Sequence, residues 1–141
     1  MDQDIILQVG VKALLKNSEG KYLLVRRNPK KYPEVGPKWD IVGGRINPGS
    51  TLFENLKREI KEEVNLELTD KPKLAAVQDI LRIPGRHVVR LTFIGKLDGE
   101  PQIDDDHLET KWFTPGEIKV MSGEELDLFF KELIDTGVVT L

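Results

Sequence analysis

The 141-residue chain contains no cysteine. That removes disulfides, thiolate metal sites and cysteine nucleophiles together, leaving oxygen ligands or the two histidines as the means of holding a metal ion. Long apolar runs are also missing. None approaches the roughly 20 residues needed to cross a bilayer, so no membrane partner is expected. The opening MDQDIILQVG has two aspartates and no basic residue, the wrong charge sign for a secretory or transit peptide, and the expected location is cytoplasmic. Neither charge sign dominates. Against 24 Asp and Glu stand 21 Lys and Arg, for a formal net charge of −3, so the chain has no general basic footprint for a nucleic acid polymer.

What is present is a globular composition, 39% hydrophobic and 32% charged, at the usual length of one domain, and residues 1–141 are expected to form a single one. Ile5 to Leu15 is apolar and β-branched, Asn17-Ser18-Glu19-Gly20 has turn chemistry, and Lys21 to Arg27 repeats the strand signature, which predicts an opening hairpin. A proline-rich loop, Asn28 to Lys38, leads to a short strand, Trp39 to Val42, that stops at Gly43-Gly44. Leu74 to Ile83 and His87 to Leu97 predict a second hairpin across Pro84-Gly85, and Thr110 to Phe113 one more short strand. Thr114-Pro115 reads as a helix start, and Leu126, Phe129, Phe130 and Leu133 recur at helical spacing within a final helix from about Gly123 to Asp135. Two main helices on a mixed, largely antiparallel sheet make an α/β sandwich.

The central helix is the informative element. Thr51 and Glu54 match a capping box, and Asn65 tolerates the left-handed conformation that ends a helix, so its bounds are about Leu52 and Asn65. At about 100° per residue, Leu52, Phe53, Leu56, Ile60 and Val64 share one apolar sector. Glu59 and Glu63 lie about 40° apart at its edge, with Glu62 close by, while Lys57, Arg58 and Lys61 point to the opposite side. Like charges at i, i+4 repel, and partial burial of Glu63 adds to that penalty. A divalent cation would reverse both signs, and magnesium suits a few carboxylates plus substrate phosphates. Pattern alone leaves an ordinary amphipathic helix and a metal site both open.

The wider pattern is Gly44-x5-Ser50-x7-Arg58-Glu59-Ile60-x-Glu62-Glu63-x-Asn65-Leu66. It resembles the box of the Nudix hydrolase family, G-x5-E-x7-R-E-U-x-E-E-x-G-U with U aliphatic, keeping the spacing over 23 positions and the residue type at seven of the nine specified ones. The resemblance implies a Nudix-type α/β/α sandwich and magnesium-dependent hydrolysis of a diphosphate linkage in a small nucleoside diphosphate derivative, with manganese as a substitute metal. It implies Glu59, Glu62 and Glu63 as the catalytic, metal-binding carboxylates, Arg58 as their anchor, and Gly43-Gly44 as the turn where backbone approaches metal and phosphates, Gly44 beside the metal and Gly43 beside the substrate. The basic candidates for holding phosphates are Arg26, Arg27, Arg45, Arg82, Arg86 and Arg90, with Arg27 and Arg45 foremost, and Asp106 and Glu109, with Asp104 and Asp105, read either as acidic-loop candidates for substrate contact or a general base or as a solvated loop. His87 and His107 are expected to face solvent, and Trp39 reads either as a base-stacking residue or as core.

Two positions depart from the box. Asn65 replaces a glycine and supplies the same left-handed conformation at modest cost. Ser50 replaces the first glutamate, which keeps a Nudix-like nucleotide-binding or regulatory domain with weak turnover as the alternative. Nucleoside triphosphates, ADP-ribose and sugar nucleotides all stay open as substrates, and so does a homodimer.

Overall fold

The computed structural model describes residues 4–141. One seven-stranded sheet organises them, with the strand order β3-β2-β1-β6-β5, β4 paired on β1 and β7 paired on β2. Its strands are β1 (Ile6–Lys16), β2 (Tyr22–Arg27), β3 (Trp39–Asp40), β4 (Val42–Arg45), β5 (Lys73–Ile80), β6 (Arg86–Lys96) and β7 (His107–Phe113). Only β1 and β6 run parallel, over eleven paired residues from Ile6 with Arg86 to Lys16 with Lys96. The sheet is therefore mixed and largely antiparallel, as expected.

The helices cover its two faces. Helix α1 (Leu52–Val64) begins at Thr51, whose hydroxyl accepts from the Glu54 amide while the Glu54 carboxylate accepts from Thr51 N–H, and it ends at Asn65 with φ 57° and ψ 38°. The capping box and the left-handed stop thus fall where the residue types require. Leu56, Ile60 and Val64 lock against Val11, Ala13, Leu15, Leu23, Val25 and Val42 on one face of the sheet. On the other face, Leu14, Leu24, Ile41 and Phe113 pack beneath helices α2 (Pro115–Lys119) and α3 (Leu128–Asp135), through Ile118, Phe130 and Leu133 and through Leu126 of the segment between the helices. Among the described residues no helix is long and apolar enough to cross a membrane.

Four expectations need correction. The opening hairpin exists only at Lys16 opposite Tyr22, because the rest of β1 pairs with β4 and β6 in the middle of the sheet. The short strand does not stop at the two glycines; it breaks at Ile41 and resumes through them as β4, pairing Gly43 with Lys12 and Gly44 with Val11. Three helices replace the expected two, since Thr114 caps a separate five-residue helix with its own capping box. The last helix starts later, at Leu128, because Asp127 caps it by accepting from the Phe130 amide.

Candidate functional site

The glycines explain how the acidic helix and the sheet come together. Gly43 has φ +144°, and a Cβ there would fall 2.0 Å from the Val11 carbonyl oxygen, so no other residue fits beside β1. With that side clear, the Gly43 N–H donates to Glu63 Oε2 at 2.9 Å. At Gly44 an added Cβ would sit 2.6 Å from Glu59 Oε2. The β4 backbone thus lies directly under two carboxylates of α1, one of them buried.

Those carboxylates differ in support. Burial pushes the Glu63 carboxyl up to about 8, against the opposing pull of Lys12 and the Gly43 N–H, with Glu59 and Asp104 adding repulsion. Glu59 is also raised by burial, with Arg58 acting against the shift. Glu62 is exposed. Arg58 does not keep to the far side of the helix as the wheel implies. Its long side chain reaches back, with Nη1 donating to Glu59 Oε1 at 2.8 Å and Glu62 Oε2 at 3.2 Å, and Nη2 donating to Asn55 Oδ1 at 3.0 Å and the Arg45 carbonyl at 3.2 Å. One guanidinium fixes two acids, the helix and β4.

Asn55 was not singled out by sequence, and it holds the loop where Ser50 departs from the box. Nearly fully buried, it accepts from the Asn47 amide at 2.7 Å and donates to the carbonyls of Ser50 (3.1 Å) and Thr51 (2.8 Å). Ser50 contributes only that carbonyl and is exposed. The geometry between loop and helix is therefore carried by a buried amide instead of a glutamate at position 50.

Glu59, Glu62 and Glu63, with Gly43, Gly44, Arg45, Arg27 and Asp106, all line one cleft of about 510 Å³, within the usual range for a small-molecule site. Lys12, Tyr32, Arg82, Arg86, Arg90 and Asp104 join them. Glu109 does not: it lies on β7 opposite Arg26 and ion-pairs with it at 3.3 Å. Arg27 reaches the cleft, but its guanidinium is bonded to Asp40 and, at 3.2 Å, to Asp127, so it forms part of the cleft floor and is not a free phosphate clamp. Arg90 completes that buried network, to Asp40 at 3.1 Å and Asp127 at 2.9 Å, and Lys12 Nζ reaches Asp40 at 3.0 Å. Burial would raise the Asp40 carboxyl, yet Arg27, Arg90 and Lys12 hold it well below the usual carboxylate range.

The acidic loop closes the other side. His107 is buried, contrary to expectation, with Nδ1 2.7 Å from Asp104 Oδ1 and its ring 6.0 Å from that of Tyr32. Asp106 pairs loosely with Lys31 at 3.5 Å. Tyr32 is pushed up to about 12 by burial first, then by Glu63 and Asp106. His87 lies partly exposed against Asp79 at 2.7 Å. Trp39 packs edge-on against Phe113 with ring centroids 4.8 Å apart, as part of the α3-side core.

A NUDIX-domain family profile matches residues 6–133. A Mycobacterium tuberculosis protein provisionally named 8-oxo-dGTP diphosphatase 2 is 33% identical over 86 residues, covering 61% of this chain and 60% of that protein. The ADP-ribose pyrophosphatase of Methanocaldococcus jannaschii is 34% identical over 96 residues, covering 67% of this chain and 55% of its own. These matches span less than two thirds of the length of those curated relatives. Among solved structures, a MutT protein from Methanosarcina mazei superposes with a TM-score of 0.80 at 25% identity, covering 96% of this chain and 95% of that one. With the family profile spanning residues 6–133 and the fold matched over 96% of the chain, it belongs to the Nudix family.

Proposed function

We propose that this chain is a magnesium-dependent Nudix pyrophosphohydrolase that cleaves a diphosphate linkage in a small nucleoside diphosphate derivative. The observation that carries the reading is Glu63: a buried carboxylate, raised to about 8, that accepts from a backbone amide and adjoins a second partly buried carboxylate, Glu59. Burying an ionisable acid without a cation beside it is unfavourable, and a group in that condition within a cleft is a functional candidate.

The residues fit a hard divalent cation. Among the described residues no three acids or histidines converge into a ready-made cage, but magnesium needs none, because it keeps several waters and takes substrate oxygens alongside one or two carboxylates. Glu59, Glu62 and Glu63 would hold it. When bound, it supplies neutralisation of the diphosphate and a lowered pKa for bound water. The chain's own groups do the rest. The Gly43 N–H keeps Glu63 in place, Arg58 orients Glu59 and Glu62, and Gly44 leaves the backbone low enough for phosphates to approach. Asp104, oriented by His107, faces the same space as a carboxylate able to accept a proton.

The names borne by the relatives, a provisional 8-oxo-dGTP diphosphatase and an ADP-ribose pyrophosphatase, agree in the diphosphate and differ in what it carries. Triphosphates, ADP-ribose and sugar nucleotides therefore make the assay panel, run with magnesium beside Glu63→Gln. Metal-dependent products that disappear in the variant support the reading. Ligand-induced thermal shifts without products would instead indicate a binding or regulatory domain. Oxygen-18 water then identifies the phosphorus that is attacked.

A further inference from the structure

Away from the carboxylates, the same cleft carries three arginines that the acid cluster does not engage. Arg45 on β4, Arg82 in the β5–β6 turn and Arg86 at the start of β6 all line it. Sheet register explains their grouping: β1 runs between β4 and β6, so Gly10 stands opposite Arg45 on one side and Arg90 on the other, and Ile6 stands opposite Arg86. Gly10 offers no side chain to fill the gap, and even an added Cβ would meet nothing closer than 3.8 Å. The floor between the arginines is open.

Acids act on these cations only from a distance among the described residues, Glu34 on Arg45 and Asp127 on Arg82. Among the described residues no carboxylate lies within ion-pair distance of Arg45, Arg82 or Arg86. Arg45 bonds the side-chain amide of Gln8, and Arg82 rests on the Phe129 ring at 5.2 Å. Below them, Arg90 is 2% exposed, and its Nε has no hydrogen-bond partner although its terminal nitrogens are engaged. The arginines also oppose each other: the Arg45 guanidinium is lowered by burial and then by Arg86 and Arg82. Such a cluster is unfavourable alone and favourable around an anion, and the guanidinium fork matches the oxygens of a phosphate.

We propose that this arginine-lined end is a second anion subsite that takes a terminal phosphate of the substrate, beyond the diphosphate bond held at Glu59, Glu62 and Glu63. It rests on the pyrophosphohydrolase reading and narrows it to nucleotides with a free terminal phosphate, nucleoside triphosphates foremost, over diphosphodiesters such as ADP-ribose.

The test has two arms. In the first, kcat/KM is measured with magnesium for a nucleoside triphosphate and for ADP-ribose, in the parent and in Arg82→Ser/Arg86→Ser. The parent is expected to prefer the triphosphate, and the variant to lose that preference by about tenfold or more, the equivalent of one charge-assisted hydrogen bond. In the second, calorimetry follows inorganic tripolyphosphate binding in EDTA, where turnover plays no part. Binding is expected in the parent and in Glu63→Gln, and a loss of about tenfold in the double serine variant, part of which Arg82→Lys/Arg86→Lys restores as a charge without a fork. An unchanged substrate preference, or equal tripolyphosphate binding by parent and serine variant, overturns the subsite. If neither nucleotide is cleaved, the hydrolase reading has failed, and the EDTA arm alone decides whether the anion site exists.

Discussion

Asp40 and Glu63 are both buried carboxylates beside β4, and they have opposite fates. Asp40 is surrounded by Arg27, Arg90 and Lys12 and stays ionised far below its ordinary range. Glu63 has one backbone amide and the more distant pull of Lys12, and burial drives it up to about 8. The difference lies in whether the protein supplies the counter-charge. Around Asp40 it does so completely, and the acid is part of the scaffold that ties β2, β3 and β6 to the cap of α3. Around Glu63 it does not, and this imbalance is what the proposed metal ion would correct.

The largest effect is expected at the completed site. Asp40→Asn removes a charge that offsets two buried guanidinium groups and an ammonium, and stranding buried charges of this kind costs about 3–5 kcal/mol. Urea unfolding measures it. A loss below about 1 kcal/mol would mean that Asp40 is no more structural than a surface acid. At the incomplete site the loss falls on chemistry. Glu63→Gln keeps a hydrogen-bond acceptor for the Gly43 N–H and is expected to lower kcat on the order of 10²- to 10³-fold, the usual consequence of removing one electrostatic contributor, with the fold intact by circular dichroism.

The same substitution is expected to stabilise the metal-free protein in a pH-dependent way. A carboxyl at about 8 in the folded state and near 4.3 unfolded favours folding only while protonated. Its contribution is full below the unfolded value and is lost as pH rises towards 8. Glu63→Gln does not titrate, so the variant gains on the parent across that window, by an amount on the order of 3–4 kcal/mol at pH 7 at 1.36 kcal/mol per unit. Magnesium should reverse the order, raising the melting temperature of the parent above pH 7 and leaving that of the variant in place. Parallel stability curves from pH 5 to 8 would remove the contrast between the two acids.

That contrast was only half legible in the sequence. Helix α1 was read to the residue at its start because a capping box, an apolar stripe and a left-handed stop are local signals, and the position of Glu63 at the edge of the stripe already implied its burial. Asp40, Arg90 and Lys12 carry no such signal. Their partners are far apart in the chain, Arg27 meeting Asp127 across 100 positions, and burial of a charge becomes sensible only once the sheet order is known. Long-range pairing also separates the expected simple β1–β2 hairpin from the observed sheet and buries His107 opposite Arg27 on β2. Asn55 carries no local signal of its role, because a polar residue in a charged helix has the pattern of surface until the loop folds over it. Truncating it to Ala leaves the Asn47 amide and the Arg58 guanidinium each short of an acceptor, with an expected loss of about 2 kcal/mol and weaker metal binding through a displaced Arg58.

The smallest effect separates the placement of Glu63 from the chemistry around it. Asn65 ends α1 two residues later, in the left-handed region, and its Nδ2 donates to Gln102 Oε1 at 3.2 Å. Asn65→Gly restores the box residue and relieves the left-handed strain, worth up to about 1 kcal/mol, while losing one exposed hydrogen bond of about 0.5 kcal/mol. The net expectation is a stabilisation of about 0.5 kcal/mol with kcat and magnesium dependence unchanged, because the turn of helix bearing Glu63 is already held by Ile60 and Val64 in the core. A changed metal requirement in that variant would show that the helix end, and not the buried environment, sets the carboxylate; the incompleteness of the site would then belong to backbone geometry instead of charge.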